Sequence, residues 1–156
     1  IQVDSRIAEN TRQFLAAAQA IAPEETLISG YRSRAEQEEL YNEKVAGEVA
    51  KGLSNEDAVN IVLKQVQLPG ASEHQTGLAI DMSVPEGQED GLAAKIAELA
   101  PQYGFVLRYP DGKSDVTGVD FENWHYRYVG VENAQYMQKH NLVLEEYIAL
   151  LKAAGK

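Results

Sequence analysis

One stretch constrains this chain more than any other: Leu78-Ala79-Ile80-Asp81-Met82-Ser83-Val84. Side chains along a strand point alternately to its two faces. Leu78, Ile80, Met82 and Val84 therefore make one apolar face. Ala79, Asp81 and Ser83 make a small polar one. Such a strand must bury its first face in a core, and it can offer Asp81 from the middle of the second. A residue held by strand pairing is a rigid base for a functional site.

The flanking sequence supplies the rest of a small domain. Residues 5–22 carry Ile7, Phe14, Leu15, Ala18 and Ile21 at helical spacing, with Pro23 past the end. Leu27-Ile28-Ser29 is a short strand closed by Gly30. Residues 34–50 predict a second helix, broken at Gly52. Ser54 with Asp57 caps a third, which Pro69-Gly70 ends. Residues 91–100 are helical, Phe105–Tyr109 is a strand before the turn Pro110-Asp111-Gly112, and Phe121–Tyr128 is another strand. Helices over 131–140 and 142–153 close the chain, the last with a stripe of Leu144, Tyr147, Ile148 and Leu151. Helices come first, strands gather around the polar motifs, and helices return. This predicts an α+β fold in one domain spanning 1–156. A small antiparallel sheet carries the site, packed by N-terminal and C-terminal helices. At 156 residues the chain is long enough to bury about two-thirds of its unfolded surface without a covalent staple.

Composition narrows the chemistry. There is no Cys, so disulfides and thiolate ligands are excluded, and a metal must be held by nitrogen and oxygen. The formal net charge of -10 argues against nucleic acid as a partner, because phosphate binding needs a basic surface. It also disfavours docking on an anionic membrane. No apolar run approaches the roughly 20 residues of a membrane span. The chain opens at Ile1 with no signal peptide, as a mature or trimmed fragment would. A monomer is expected.

Two of the three histidines lie in compact polar segments: His74 in Ser72-Glu73-His74-Gln75-Thr76-Gly77, and His125 in Glu122-Asn123-Trp124-His125-Tyr126-Arg127. Two histidine nitrogens plus one carboxylate oxygen form a catalytic zinc set with one position left for water. Asp81 is the best third ligand, on the polar face of the strand that follows His74. Taken singly, each residue has a blander explanation. A lone His is more often a surface or core residue, and an Asp on a polar strand face is usually only solvated. His140 lies between two helices without an acidic neighbour and is expected to be structural or exposed.

Together the motifs resemble a known family. Ser72-Glu73-His74-Gln75-Thr76-Gly77-Leu78-Ala79-Ile80-Asp81 is similar to the S-x-H-x-x-G-x-A-x-D motif of the VanY-like carboxypeptidases. Glu122-Asn123-Trp124-His125-Tyr126-Arg127 is similar to their E-x-W-H-x-R. Ser29-Gly30-Tyr31-Arg32-Ser33, with Gln37, resembles their upstream substrate-binding motif. The three occur in the family's order. Pro69 to Asp81 and Tyr126-Arg127-Tyr128-Val129-Gly130 look most like the streptococcal L,D-carboxypeptidases of peptidoglycan.

The resemblance implies a zinc enzyme that removes the terminal D-alanine from cell-wall stem peptides, on the outer side of the bacterial cytoplasmic membrane, anchored by a segment upstream of Ile1. It implies Zn²⁺ held by His74, Asp81 and His125, with Glu122 as general base. Arg32 would grip the substrate carboxylate, assisted by Gln37 and Ser72, as the planar fork of Arg allows. Arg127 would pair with an acid near the site, and Trp124 would either wall the pocket or fill the core. Zinc would supply Lewis acidity toward the carbonyl and water, while Glu122 moves the proton from water to the leaving amine. The favoured substrate is the tetrapeptide stem, cut by an L,D-carboxypeptidase. The alternatives are D,D-cleavage of pentapeptides and a non-catalytic wall-binding module, which would have no need of Glu122. Glu122 and His125 are three apart and would face opposite sides of a regular strand. Their joint use predicts a backbone irregularity between them.

Overall fold

A computed structural model describes residues 1–156. In chain order the elements are α1 (Ala8–Ile21), β1 (Thr26–Ser29), α2 (Arg34–Ala50), α3 (Asn55–Val62), β2 (Ala79–Ser83), α4 (Asp90–Leu99), β3 (Phe105–Tyr109), α5 (Ser114–Thr117), β4 (Glu122–Tyr128), α6 (Val131–Lys139) and α7 (Leu144–Ala153). The four strands form one antiparallel sheet in the order β1-β2-β4-β3. The expected α+β architecture is found. The anticipated boundaries hold within a few residues except at α3 and at α5, a single turn the sequence does not announce.

Helix α3 starts where expected, with the Ser54 side chain accepting from the Asp57 N–H. It stops at Val62 instead of continuing to Pro69. Beyond it, the Gln67 carbonyl accepts from Gln37 Nε2 at 2.7 Å and the Lys64 carbonyl from the Asp120 N–H at 2.8 Å. These long-range bonds take up carbonyls that a continuing helix would use internally.

The core lies on one side of the sheet. Ile80 and Met82 of β2, Tyr126 of β4 and Phe105 of β3 pack against Phe14 and Ala18 of α1, against Ile7 just before it, and against Ile96 and Ala100. The Phe14 ring sits 5.2 Å from Phe105 and 5.0 Å edge-on from Tyr126. Each large side chain buried this fully stabilises the fold by about 1.5–3 kcal/mol. The expected alternation holds over β2: Ile80 and Met82 face the core with Leu78 packed against it, and Asp81 faces away, while Val84 lies past the strand and outside the core cluster.

Two irregularities re-aim side chains on the other face. Leu27 pairs with Met82 but Ser29 pairs with Asp81, so Ile28 is an extra residue in β1. Leu107 pairs with Tyr126 but Tyr109 pairs with Glu122, so two steps along β3 span four along β4. The second is the irregularity expected between Glu122 and His125. Bulges of this kind bend a strand and redirect its side chains.

Candidate metal centre

Strand β2 supplies Asp81 and strand β4 supplies His125, its direct cross-strand partner. His74 comes from the 3₁₀ turn Glu73–Thr76 just before β2. That turn is closed by Gly77 at φ 75°, and a Cβ there would lie 2.9 Å from the Asp4 amide nitrogen. Only glycine combines that dihedral with so close an approach. The N-terminal segment is pinned beside it, since the Asp4 N–H donates to the Gly77 carbonyl at 2.9 Å.

His74 Nε2 lies 3.4 Å from Asp81 Oδ1, and His125 Nδ1 lies 3.5 Å from the same oxygen. The three candidate ligand atoms are within 4.8 Å of one another. The opposite ring nitrogens are both engaged. His74 Nδ1 is 2.8 Å from the Gly30 carbonyl, and His125 Nε2 is 2.7 Å from Glu73 Oε1. These partners place a proton on the outer nitrogen of each ring and turn the inner nitrogens toward Asp81, where a bound metal would replace any proton they carry. Asp81 Oδ1 is buried and has no hydrogen-bond donor. Two ring nitrogens converging on a carboxylate oxygen that no donor satisfies fit a cation, and a His₂Asp set fits zinc with one position open.

The electrostatics agree. Burial alone would lower the pKa of His125, but the carboxylates of Glu122, Glu73 and Asp81 outweigh it and raise the value to about 9. Burial pushes Asp81 up, and His74, His125 and Ser29 more than reverse that. The carboxylates around His125 thus favour positive charge at the heart of the site.

Glu122 is buried, with Oε2 at 3.4 Å from His125 Nδ1. Arg32 borders the same cavity, which measures about 560 Å³. Its guanidinium donates to Gln37 Oε1 at 2.7 Å and to Ser29 Oγ at 3.3 Å. Both ends of the Gln37 amide are used, the other donating to the Gln67 carbonyl, so Gln37 steadies Arg32. Ser72 Oγ also lines the cavity and accepts from the His74 N–H. Trp124 is 40% exposed and lines the cavity, which makes it pocket wall and not core. His140 is exposed, its ring against Tyr136.

Several participants were not singled out from the sequence. Glu73 accepts from His125, from Arg127 at 3.1 Å and from Arg108 at 3.1 Å. Burial raises its pKa, but His125 and the two guanidinium groups bring it down to about 2. Arg127 thus pairs with an acid, as expected, and that acid is Glu73. Arg108 continues to Glu145 of α7 through two bonds of 2.8 and 2.9 Å. Ser29 donates to Asp81 Oδ2 at 2.5 Å. An acid next to a ligand histidine was the one available signal for Glu73. Ser29 stands in the motif that holds Arg32, but its partner Asp81 is 52 residues away, and Arg108 gave no signal, its partner being 35 residues away.

Two histidines and a carboxylate, open toward a cavity and edged by the Glu122 carboxylate, make a candidate mononuclear metal centre. Residues 1–131 match the family model described as VanY: D-alanyl-D-alanine carboxypeptidase. The chain belongs to that family. It is 38% identical over 149 residues to a D-alanyl-D-alanine carboxypeptidase of Enterococcus faecalis (strain ATCC 700802 / V583), covering 94% of this chain and 56% of that protein. It therefore spans little more than half of that relative's length. Among solved structures it resembles a mutant of the vancomycin resistance D,D-pentapeptidase VanY from a VanB-type cassette, in complex with Zn(II). The TM-score is 0.86 with 38% identity, over 94% of this chain and 83% of that one. An L,D-carboxypeptidase from Streptococcus pneumonia gives a TM-score of 0.78 with 34% identity, over 94% and 76%. The expected leaning toward the L,D-enzymes is thus corrected: the VanY D,D-pentapeptidase is more similar than that L,D-carboxypeptidase both in sequence and in fold.

Proposed function

We propose that this chain is a zinc-dependent D,D-carboxypeptidase that removes the terminal D-alanine from peptidoglycan stem pentapeptides, outside the cytoplasmic membrane. The observation that carries the proposal is the orphaned Asp81 Oδ1 between His74 and His125, with Glu122 at its edge and Arg32 in the same cavity. The greater similarity to D,D-acting relatives supports this substrate over the tetrapeptide. No helix is long and apolar enough to cross a membrane.

His74, Asp81 and His125 would hold the metal, which when bound supplies Lewis acidity to the scissile carbonyl and to water. Arg32, braced by Gln37 and Ser29, pairs with the free carboxylate of the terminal residue, and Ser72 Oγ has its proton available to the same group. Glu122 takes a proton from water as its oxygen bonds to the carbonyl carbon. The carbonyl π pair moves onto oxygen. When the C–N bond breaks, the pair returns and Glu122 delivers the proton to the D-alanine amine. Glu73 holds the proton on His125 Nε2 and fixes that ring. A group that grips a free carboxylate makes the enzyme an exopeptidase.

The test is mass spectrometry of tetrapeptide and pentapeptide stems after incubation with zinc-loaded protein. The pentapeptide should lose one alanine and the tetrapeptide should persist. A strong chelator should abolish cleavage and zinc should restore it, and a C-terminally amidated pentapeptide should resist. Cleavage of the tetrapeptide alone would return the assignment to the L,D-enzymes. Full activity in protein free of transition metal would overturn it.

A further inference from the structure

Glu122, Arg32 and the three candidate ligands do not exhaust the polar groups at the cavity, and Tyr109 is the one that stands against a candidate ligand. Tyr109 ends β3 and is only 6% exposed. The register shift that brings Glu122 beside His125 also makes Tyr109 the cross-strand partner of Glu122. Its ring stands edge-on to the His125 ring, with centroids 5.0 Å apart, and the Arg108 guanidinium covers it at 4.8 Å. The ring is thus held between a ligand and an ion-paired cation. A tyrosine buried this deeply usually gives its O–H to a protein acceptor. Tyr109 does not: its hydroxyl makes no hydrogen bond within the protein, and it is not among the sealed polar atoms. It opens onto the cavity that also holds Asp81, Glu122 and His125.

We propose that Tyr109 is a catalytic hydrogen-bond donor, its hydroxyl stabilising the negative oxygen that forms on the scissile carbonyl. This rests on the carboxypeptidase reading. Glu122 and Tyr109 flank the same histidine from neighbouring strands, one a base for water and the other a donor for the oxygen that receives the carbonyl electron pair. A rigid donor aimed where charge develops favours the transition state over the ground state.

Tyr109→Phe keeps the ring against His125 and removes only the hydroxyl. With zinc-loaded protein and a D-Ala-D-Ala-terminated pentapeptide, kcat should fall about 10²–10³-fold, as for loss of one such donor, with KM and zinc content unchanged. Calorimetry supplies a readout without turnover. The variant should bind a tetrahedral phosphinate analogue of D-Ala-D-Ala far more weakly than the parent does, while D-Ala-D-Ala itself binds equally well. Equal loss for both ligands, or for neither, overturns the proposal, and so does loss of zinc from the variant. If the parent fails to cleave the pentapeptide, the D,D-carboxypeptidase reading fails. The two binding constants still decide whether the hydroxyl discriminates a tetrahedral oxygen.

Discussion

The central strands β2 and β4 have two faces built on opposite principles. On one, Ile80, Met82 and Tyr126 meet Phe14 and Phe105 in an apolar core with little exposed surface. On the other, Asp81, His125 and Glu122 crowd carboxylates and imidazoles together, and Asp81 Oδ1 has no donor at all. Burial is comparable on both sides: Tyr126 is 1% exposed and His125 6%. The core face gains stability from burial. The site face gives it up, because buried polar groups without full partners are costly. On the proposed function, those groups would meet a metal, a proton and the substrate carboxylate. Stability and chemistry are thus carried on alternate residues of the same strands and should respond to substitution separately.

The sharpest separation should come from Glu122→Gln. It preserves size and removes the base, so turnover should drop about 10²–10⁴-fold. Zinc stoichiometry and melting temperature, measured on the same preparation, should stay near the parent's. Normal turnover would reject the general-base role. Loss of zinc together with activity would make Glu122 a ligand and erase the distinction between metal and base.

Next in size is the opposite experiment on the core face. Phe14→Ala removes the ring that Phe105 and Tyr126 pack against. It should cost about 3–5 kcal/mol, a fall in Tm of roughly 10 °C or more for a chain of this length. Below the new transition the folded protein should retain its zinc content and its kcat. A large kcat loss in fully folded protein would mean that the two faces are coupled.

Glu73→Gln probes the support of the site face. The carboxylate holds His125 and is itself held by Arg108 and Arg127. Zinc affinity, measured by chelator competition, should weaken about 10–100-fold. An unchanged affinity would show that strand pairing alone fixes the His125 ring.

The smallest effect is expected at Glu25, a 2%-exposed carboxylate near Tyr126. With the Gln88 amide turned nitrogen-first, Gln88 donates to both Glu25 oxygens at 3.1 and 2.8 Å. Burial still outweighs that bond and raises the pKa of Glu25. The folded state therefore binds this proton more tightly than the unfolded chain does. Its contribution is present below the ordinary carboxylate range and is lost as pH rises through the folded-state value. Glu25→Gln should flatten this part of the profile, with Tm rising slightly relative to the parent at neutral pH and not at acid pH. An equal change in Tm at both would remove the titration argument.

The sequence by itself determined the long helices, the strand through Asp81 with its two faces, and the candidate set His74, Asp81, His125, Glu122 and Arg32. Those features depend on local periodicity, on capping and breaking residues, and on motifs short enough to be seen in one segment. The tertiary structure alone decided where the supports come from. Glu73 lies beside His74 in the chain yet serves His125, because the 3₁₀ turn sends neighbouring side chains to different partners. Arg108 and Glu145 meet only when α7 packs near β3. The early end of α3 depends on Asp120 and Gln37, which are far from it in sequence. Tyr109 sits beside His125 only because β4 gains two residues against β3. Periodicity specifies which face a residue occupies, whereas register and bulges specify which neighbours it meets there, and those are set by pairing between distant segments.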